Sequence, residues 1–173
     1  MKLADKIAGW LHEQGTQHVF TVTGAGVVSL LDSIANQGKI KIVPFHHEQA
    51  AAMAAAYYYR TSWRLAPVVC TIGAGSSNPL TGVLAAYMDS IPVMVISGNE
   101  PLHFFGTSGP RIVGIQGYRS ASLAREITKY SAQAQTPADA MTILRQCYED
   151  ALSGRQGPCW LEIPRDLWNG EVS

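Results

Sequence analysis

The chain has 173 residues, 47% of them hydrophobic and 15% charged, and its thirteen Lys and Arg balance thirteen Asp and Glu. That length suits one domain, residues 1–173, with a buried core. The charge balance excludes the basic footprint expected of a protein that binds nucleic acid or an anionic membrane.

The opening "MKLADKIAGWLHEQG" is amphipathic rather than continuously apolar, so it predicts a helix and not a signal peptide. Leu3, Ile7, Trp10 and Leu11 recur at helical spacing, and Gly15 supplies a stop. "HVFTV" (18–22) predicts a short buried strand that ends in the glycine turn "TGAG". A helix is expected over 27–36, a strand at "IKIVPF", and a helix at "HEQAAAMAAAYYYR". "APVVCTI" predicts a third strand, running through the turn "GAGSSNP" into the helical "LTGVLAAYM". "IPVMVISG" has no polar alternation, as expected of a strand covered on both faces. Residues 99–119 are rich in Gly, Pro, Ser and His and predict irregular structure. "SASLAREI" predicts a short helix and "KYSAQA" a strand. The helix over "TPADAMTILRQCYEDALSG" should start at an N-cap, Thr136, with Pro137 in its first turn. "PCWLEIP" predicts the last strand.

Alternating strands and helices imply an α/β fold, a doubly wound and mostly parallel sheet with helices on both faces. Ligands of such sheets sit beyond the carboxyl ends of the strands, here the loops "TGAG", "FHHE", "GAGSSN" and "SGNEPLHFFGTSG". Asp89 and Pro92 interrupt the longest apolar stretches, so no membrane span is expected. Cys70, Cys147 and Cys159 form no CxxC pair and no evident disulfide frame, which suits a reducing cytoplasm.

Glu48 stands at the mouth of that sheet. A zinc site at His47 and Glu48 lacks the second histidine that HExxH requires one helical turn later. "TGAGVVS" departs from the dinucleotide turn GxGxxG at Ser29, and neither a P-loop nor a GxSxG nucleophile elbow is present. Both glycine turns can be read simply as tight strand-to-helix connections. Glu48 can likewise be read as a first-turn carboxylate favoured by the helix dipole. Against that, the "AAAMAAA" that follows has little bulk, so the helix can pack closely and leave the carboxyl shielded. A shielded carboxyl retains its proton more readily and suits a proton donor.

Taken in order, "TVTGAG", "PFHHEQAAAMAAAYYYR", "CTIGAGSSNPLTGVLAAYMDSIPVMVISG" and "CWLEIPRDLW" resemble the N-terminal, pyrimidine-binding domain of thiamine diphosphate enzymes. Within that family the pattern is most similar to acetolactate synthases and related 2-oxo acid decarboxylases and carboligases. The resemblance implies that Glu48 hydrogen-bonds N1′ of the cofactor's aminopyrimidine and promotes the tautomer that takes the proton from C2 of the thiazolium. The cofactor then accepts the electrons of decarboxylation. It also implies that Gly24, Ala25 and Gly26 line the substrate side, and that Gly73, Ala74, Gly75 and Asn78 approach the pyrimidine. Gln116 matches a family active-site glutamine only loosely, because Ile115 and Gly117 replace the usual neighbours; it can equally be an ordinary loop residue. His47 either fixes the glutamate or caps the helix.

Family members hold the diphosphate through Mg²⁺ on a domain carrying a GDG motif, and no GDG occurs in these residues. The resemblance therefore implies a composite site. The expected partner is a diphosphate-binding subunit, two of each chain, that holds the metal and acts on a small 2-oxo acid. A fragment of a longer enzyme and a non-catalytic regulatory module are the alternatives.

Overall fold

A computed structural model describes residues 1–106 and 111–172. Six strands form one parallel sheet: β1 (His18–Thr21), β2 (Lys41–Pro44), β3 (Val68–Cys70), β4 (Met94–Asn99), β5 (Tyr130–Gln133) and β6 (Cys159–Pro164). Their order is β2-β1-β3-β4-β6-β5, and every pairing is parallel. The helices are α1 (Leu3–Glu13), α2 (Val28–Gln37), α3 (Glu48–Ser62), α4 (Ala74–Ser77), α5 (Leu80–Met88), α6 (Ser120–Ala124) and α7 (Pro137–Leu152).

The inner strands β1, β3, β4 and β6 are buried on both faces because helices cover both, whereas the edge strands β2 and β5 are only partly covered. Val19, Val69, Met94, Ile96, Cys159, Leu161 and Ile163 face α1, α2 and α7. Their alternating neighbours Phe20, Val68, Cys70, Val95 and Trp160 face α3, α5 and α6. This two-residue alternation, buried on either side, is what a parallel sheet requires. The sheet is wholly parallel, a tightening of the mostly parallel expectation.

Helix ends follow local chemistry. Thr136 caps α7 by accepting a hydrogen bond from the Asp139 N–H at 3.1 Å, and Pro137 occupies its first turn. Lys129 caps the other end of α7 by donating to the carbonyls of Asp150 and Ser153. His47 caps α3, its Nδ1 accepting from the Gln49 N–H at 3.2 Å.

Two local expectations need correction. The "GAGSSNP" connection is not a simple turn: it contains the one-turn helix α4. The irregular 99–119 stretch contains a 3₁₀ helix at Leu102–Gly106 and a tight turn closed by mutual backbone hydrogen bonds between Val113 and Gly117, both 2.8 Å. Part of that stretch, 107–110, lies outside the described residues.

The chain runs from β1 outward to β2, then returns to place β3 on the other side of β1. The loops after β1 and β3 therefore leave the sheet in opposite directions and open a crevice between them. Those loops are the two glycine turns.

Candidate active site

Glu48 opens α3 directly after β2, and the close packing of α3 draws it inward. Ala51, Ala52, Ala55 and Ala56 are all buried, and they let α3 approach α5 at Gly82 and Val83. Glu48 itself is only 6% exposed, unusual for a carboxylate. Its Oε2 accepts a hydrogen bond from the Asn78 side-chain amide at 2.8 Å. Asn78 and Pro79 join α4 to α5, so the turn after β3 reaches across the crevice to the start of α3. With Oε2 engaged by Asn78, Oε1 is the oxygen that stands beside Gly75.

The glycines bring backbone where a side chain would block. A Cβ on Gly75 would stand 2.6 Å from Thr71 Cγ2 and 3.2 Å from Glu48 Oε1. Gly73 has φ +68°, and its Cβ would meet the Gln116 carbonyl at 2.9 Å. Cβ atoms on Gly24 and Gly26 would each come within 2.5 Å of the Thr71 and Ile72 side chains, respectively. The Gly26 N–H donates to Thr71 Oγ1 at 3.1 Å, which ties the first glycine turn to the second. The buried Trp168 indole N–H donates to the Gly26 carbonyl at 2.7 Å and holds the same turn from the far end of the chain.

The fold thus gathers Glu48, Asn78 and Gly75 at one point, with Gly73 against Gln116 and with Gly24 and Gly26 beside Thr71 and Ile72. Ala25 and Ala74 lie exposed within the two turns. Gln116 is exposed and reaches the crevice through its backbone. Among the described residues, no group of three or more His, Cys, Asp or Glu is placed to hold a metal ion.

Several contributors escaped sequence reading. Thr71 binds the two glycine turns together but sits inside an apolar strand-end pattern. Tyr118 bonds to Ser76 of α4, the two hydroxyls 3.1 Å apart, and burial pushes its phenol up from its ordinary value. Asn99 and Glu162 are buried polar residues on neighbouring strands, hydrogen-bonded at 2.6 Å. A signal for both existed, since each is a polar residue in an otherwise apolar strand sequence. Burial, reinforced by the negative charges of Glu48 and Glu162, pushes the Cys70 thiol up. Cys147 and Cys159, read as unrelated in the sequence, are brought side by side. Their hydrogen bond, followed by burial, pushes the Cys147 thiol up as well. All three thiols are free and buried.

A buried carboxyl beside two glycine turns thus stands beyond the carboxyl ends of a parallel α/β sheet, where ligands of such folds bind. Residues 1–131 match the family model described as thiamine pyrophosphate enzyme, N-terminal TPP binding domain. The chain belongs to that family. It is 34% identical over 165 residues to an acetolactate synthase of Arthrospira platensis, covering 94% of this chain and 28% of that protein. It is 33% identical over 166 residues to the acetolactate synthase large subunit of Lactococcus lactis, with 94% and 28% covered. The probable acetolactate synthase large subunit of Methanocaldococcus jannaschii is 31% identical over 172 residues, with 99% and 28% covered. The chain therefore spans little more than a quarter of the length of these curated relatives, at their N-terminal end. No helix among the described residues is long and apolar enough to cross a membrane.

Proposed function

We propose that this chain supplies the pyrimidine half of the active site of a thiamine diphosphate-dependent 2-oxo acid decarboxylase or carboligase. A complementary diphosphate-binding subunit, two of each chain, would supply the other half together with Mg²⁺. The observation that carries the reading is Glu48: shielded from water, pinned through Oε2 by Asn78, and open at Oε1 where Gly75 leaves space.

The residues fit the group. Glu48 would hold a proton against the ring nitrogen of the aminopyrimidine, and the glycine backbone at 73 and 75 would let the ring lie close. Gly24, Ala25, Gly26 and Gln116 would border the substrate. When bound, thiamine diphosphate supplies the nucleophilic carbon and the electron sink that decarboxylation of a 2-oxo acid needs. This chain's part is to bind and orient the ring, exclude water, and keep one proton at Oε1.

No GDG motif occurs in these residues, so in this reading the diphosphate half of the site lies on a second subunit or on further sequence of the same chain. A non-catalytic module sharing the fold is disfavoured by the intact pairing of Glu48 with Asn78, which a purely structural role does not require.

The test is purification with any subunit that accompanies the chain, followed by titration with thiamine diphosphate and Mg²⁺ and a screen of 2-oxo acids. Glu48→Gln is expected to lower turnover by about a hundredfold or more, the scale of a lost general acid, while the protein stays folded. Undiminished turnover in that variant would reject the assignment of Glu48. Tight cofactor binding by this chain alone would reject the need for a second subunit.

A further inference from the structure

Glu162 is the one charged residue of β6 and has no exposed surface. Its carboxylate faces four donors. Oε1 accepts from the side-chain amides of Asn99 at 2.6 Å and Gln133 at 2.7 Å. Oε2 accepts from the Ser120 hydroxyl at 2.5 Å and the Ala121 N–H at 2.7 Å.

The direction of the hydroxyl chain that ends there is forced. The Trp160 indole N–H can only donate, and it gives its hydrogen to Ser97 Oγ at 2.8 Å. Ser120 gives its one hydrogen to Glu162 Oε2, so it is Ser97 that donates to Ser120 Oγ at 3.2 Å.

The other edge of this network reaches the crevice. Asn99 also donates to the Tyr118 carbonyl at 2.5 Å, while its Oδ1 accepts from the Glu100 N–H at 2.8 Å. Tyr118 reaches Ser76 through its hydroxyl, and Ser76 Oγ lies 2.9 Å from the Gly73 carbonyl. The 113–117 turn is packed between these ties. A Cβ on Gly117 would come within 2.7 Å of Asn99 Oδ1, and one on Gly73 within 2.9 Å of the Gln116 carbonyl.

We propose that Glu162 is a positioning residue: through Asn99 and Tyr118 it sets where the Gln116 turn stands against residues 73–78, and so the substrate-side width of the crevice. The last clause rests on the function proposed above; the positioning itself does not. Glu162→Gln replaces one acceptor oxygen with a donor, which meets an opposing donor whichever way the amide turns. The Ala121 N–H cannot reorient, and Asn99 cannot flip without losing both Tyr118 and Glu100.

The experiment is amide hydrogen exchange on the purified protein with any subunit that accompanies it. Glu162→Gln is expected to speed exchange in 111–119 by about tenfold, with α1 and α2 unchanged within about twofold. Should that variant fail to fold, Tyr118→Phe carries the same comparison, since it keeps the ring and removes only the tie to Ser76. Exchange that is unchanged, or accelerated equally throughout, overturns the proposal. In the enzyme loaded with thiamine diphosphate and Mg²⁺, with pyruvate as probe, Tyr118→Phe should raise KM by about fivefold, with kcat and cofactor affinity held within about twofold. KM and kcat moving together would overturn it too. If no 2-oxo acid is turned over, the proposed function fails, and the exchange result still decides the positioning.

Discussion

Gly82 and Gly9 offer the same substitution in two helices with opposite expected outcomes. Glycine to alanine within a helix favours folding by about 1 kcal/mol through backbone entropy and helix propensity. At Gly9, in the middle of α1, the nearest atom to a new Cβ is Gln37 Oε1 at 4.0 Å, so nothing opposes that gain. At Gly82 the new Cβ would stand 2.7 Å from Ala52 Cβ, 3.0 Å from the Met53 nitrogen and 3.2 Å from the Ala52 carbonyl carbon. Carbon atoms rest at about 3.5–4.0 Å, so α5 and α3 must part by roughly 1 Å. Overpacking costs about 1–3 kcal/mol, and contact with helix backbone places this case at the upper end. Gly82→Ala should therefore lose about 1–2 kcal/mol net, and Gly9→Ala should gain about 1. Urea unfolding at equilibrium measures both, and in a domain of this size each kcal/mol shifts the thermal midpoint by about 2–4 °C. Gly82→Ala as stable as Gly9→Ala would refute the claim that α3 and α5 are in backbone contact. That contact places Glu48, because Ala52 lies one helical turn beyond it.

Three further outcomes follow from particular contacts. Trp168→Phe shrinks the buried ring and strands the Gly26 carbonyl, and should cost about 2–4 kcal/mol in urea unfolding. Asn78→Asp sets a carboxylate 2.8 Å from Glu48 Oε2 in place of a donor; thiamine diphosphate affinity, measured by calorimetry in the assembled protein, should fall by about tenfold or more. Cys70 and Cys147 hold their protons more tightly folded than unfolded, so the stability they contribute is complete below the ordinary thiol value of 9.0 and declines as pH rises above it. Thermal midpoints should be level from pH 7 to about 8.5 and then fall, with thiol reagents reacting only on unfolding; a midpoint level to pH 11 would contradict the burial of both thiols.

Much of the fold was legible because its strands and helices carry strong local patterns. Alternation of the elements implied the parallel sheet, Thr136 and Pro137 marked the start of α7, and the loops after the strands could be named as the mouth. The short α4 was missed because "GAGSS" contains two glycines and no apolar periodicity; its helical turn depends on Ser76 Oγ and on packing against Thr71. The 113–117 turn was equally invisible: it closes on its own backbone, but its place depends on Asn99 and Tyr118, whose partners Glu162 and Ser76 lie far away in sequence.

What the sequence alone determined is the chemistry available: a carboxylate opening a helix of alanines, and two glycine turns, each after an apolar strand. Only the tertiary structure decided the geometry. The chain doubles back between β2 and β3, so the turn after β3 crosses to Glu48 and engages one of its two oxygens. Likewise, a glutamate inside β6 meets an asparagine from β4 through sheet pairing, 63 residues apart in sequence. Local patterns encode which residues share a face, but distances across a sheet depend on strand order, which no single segment contains.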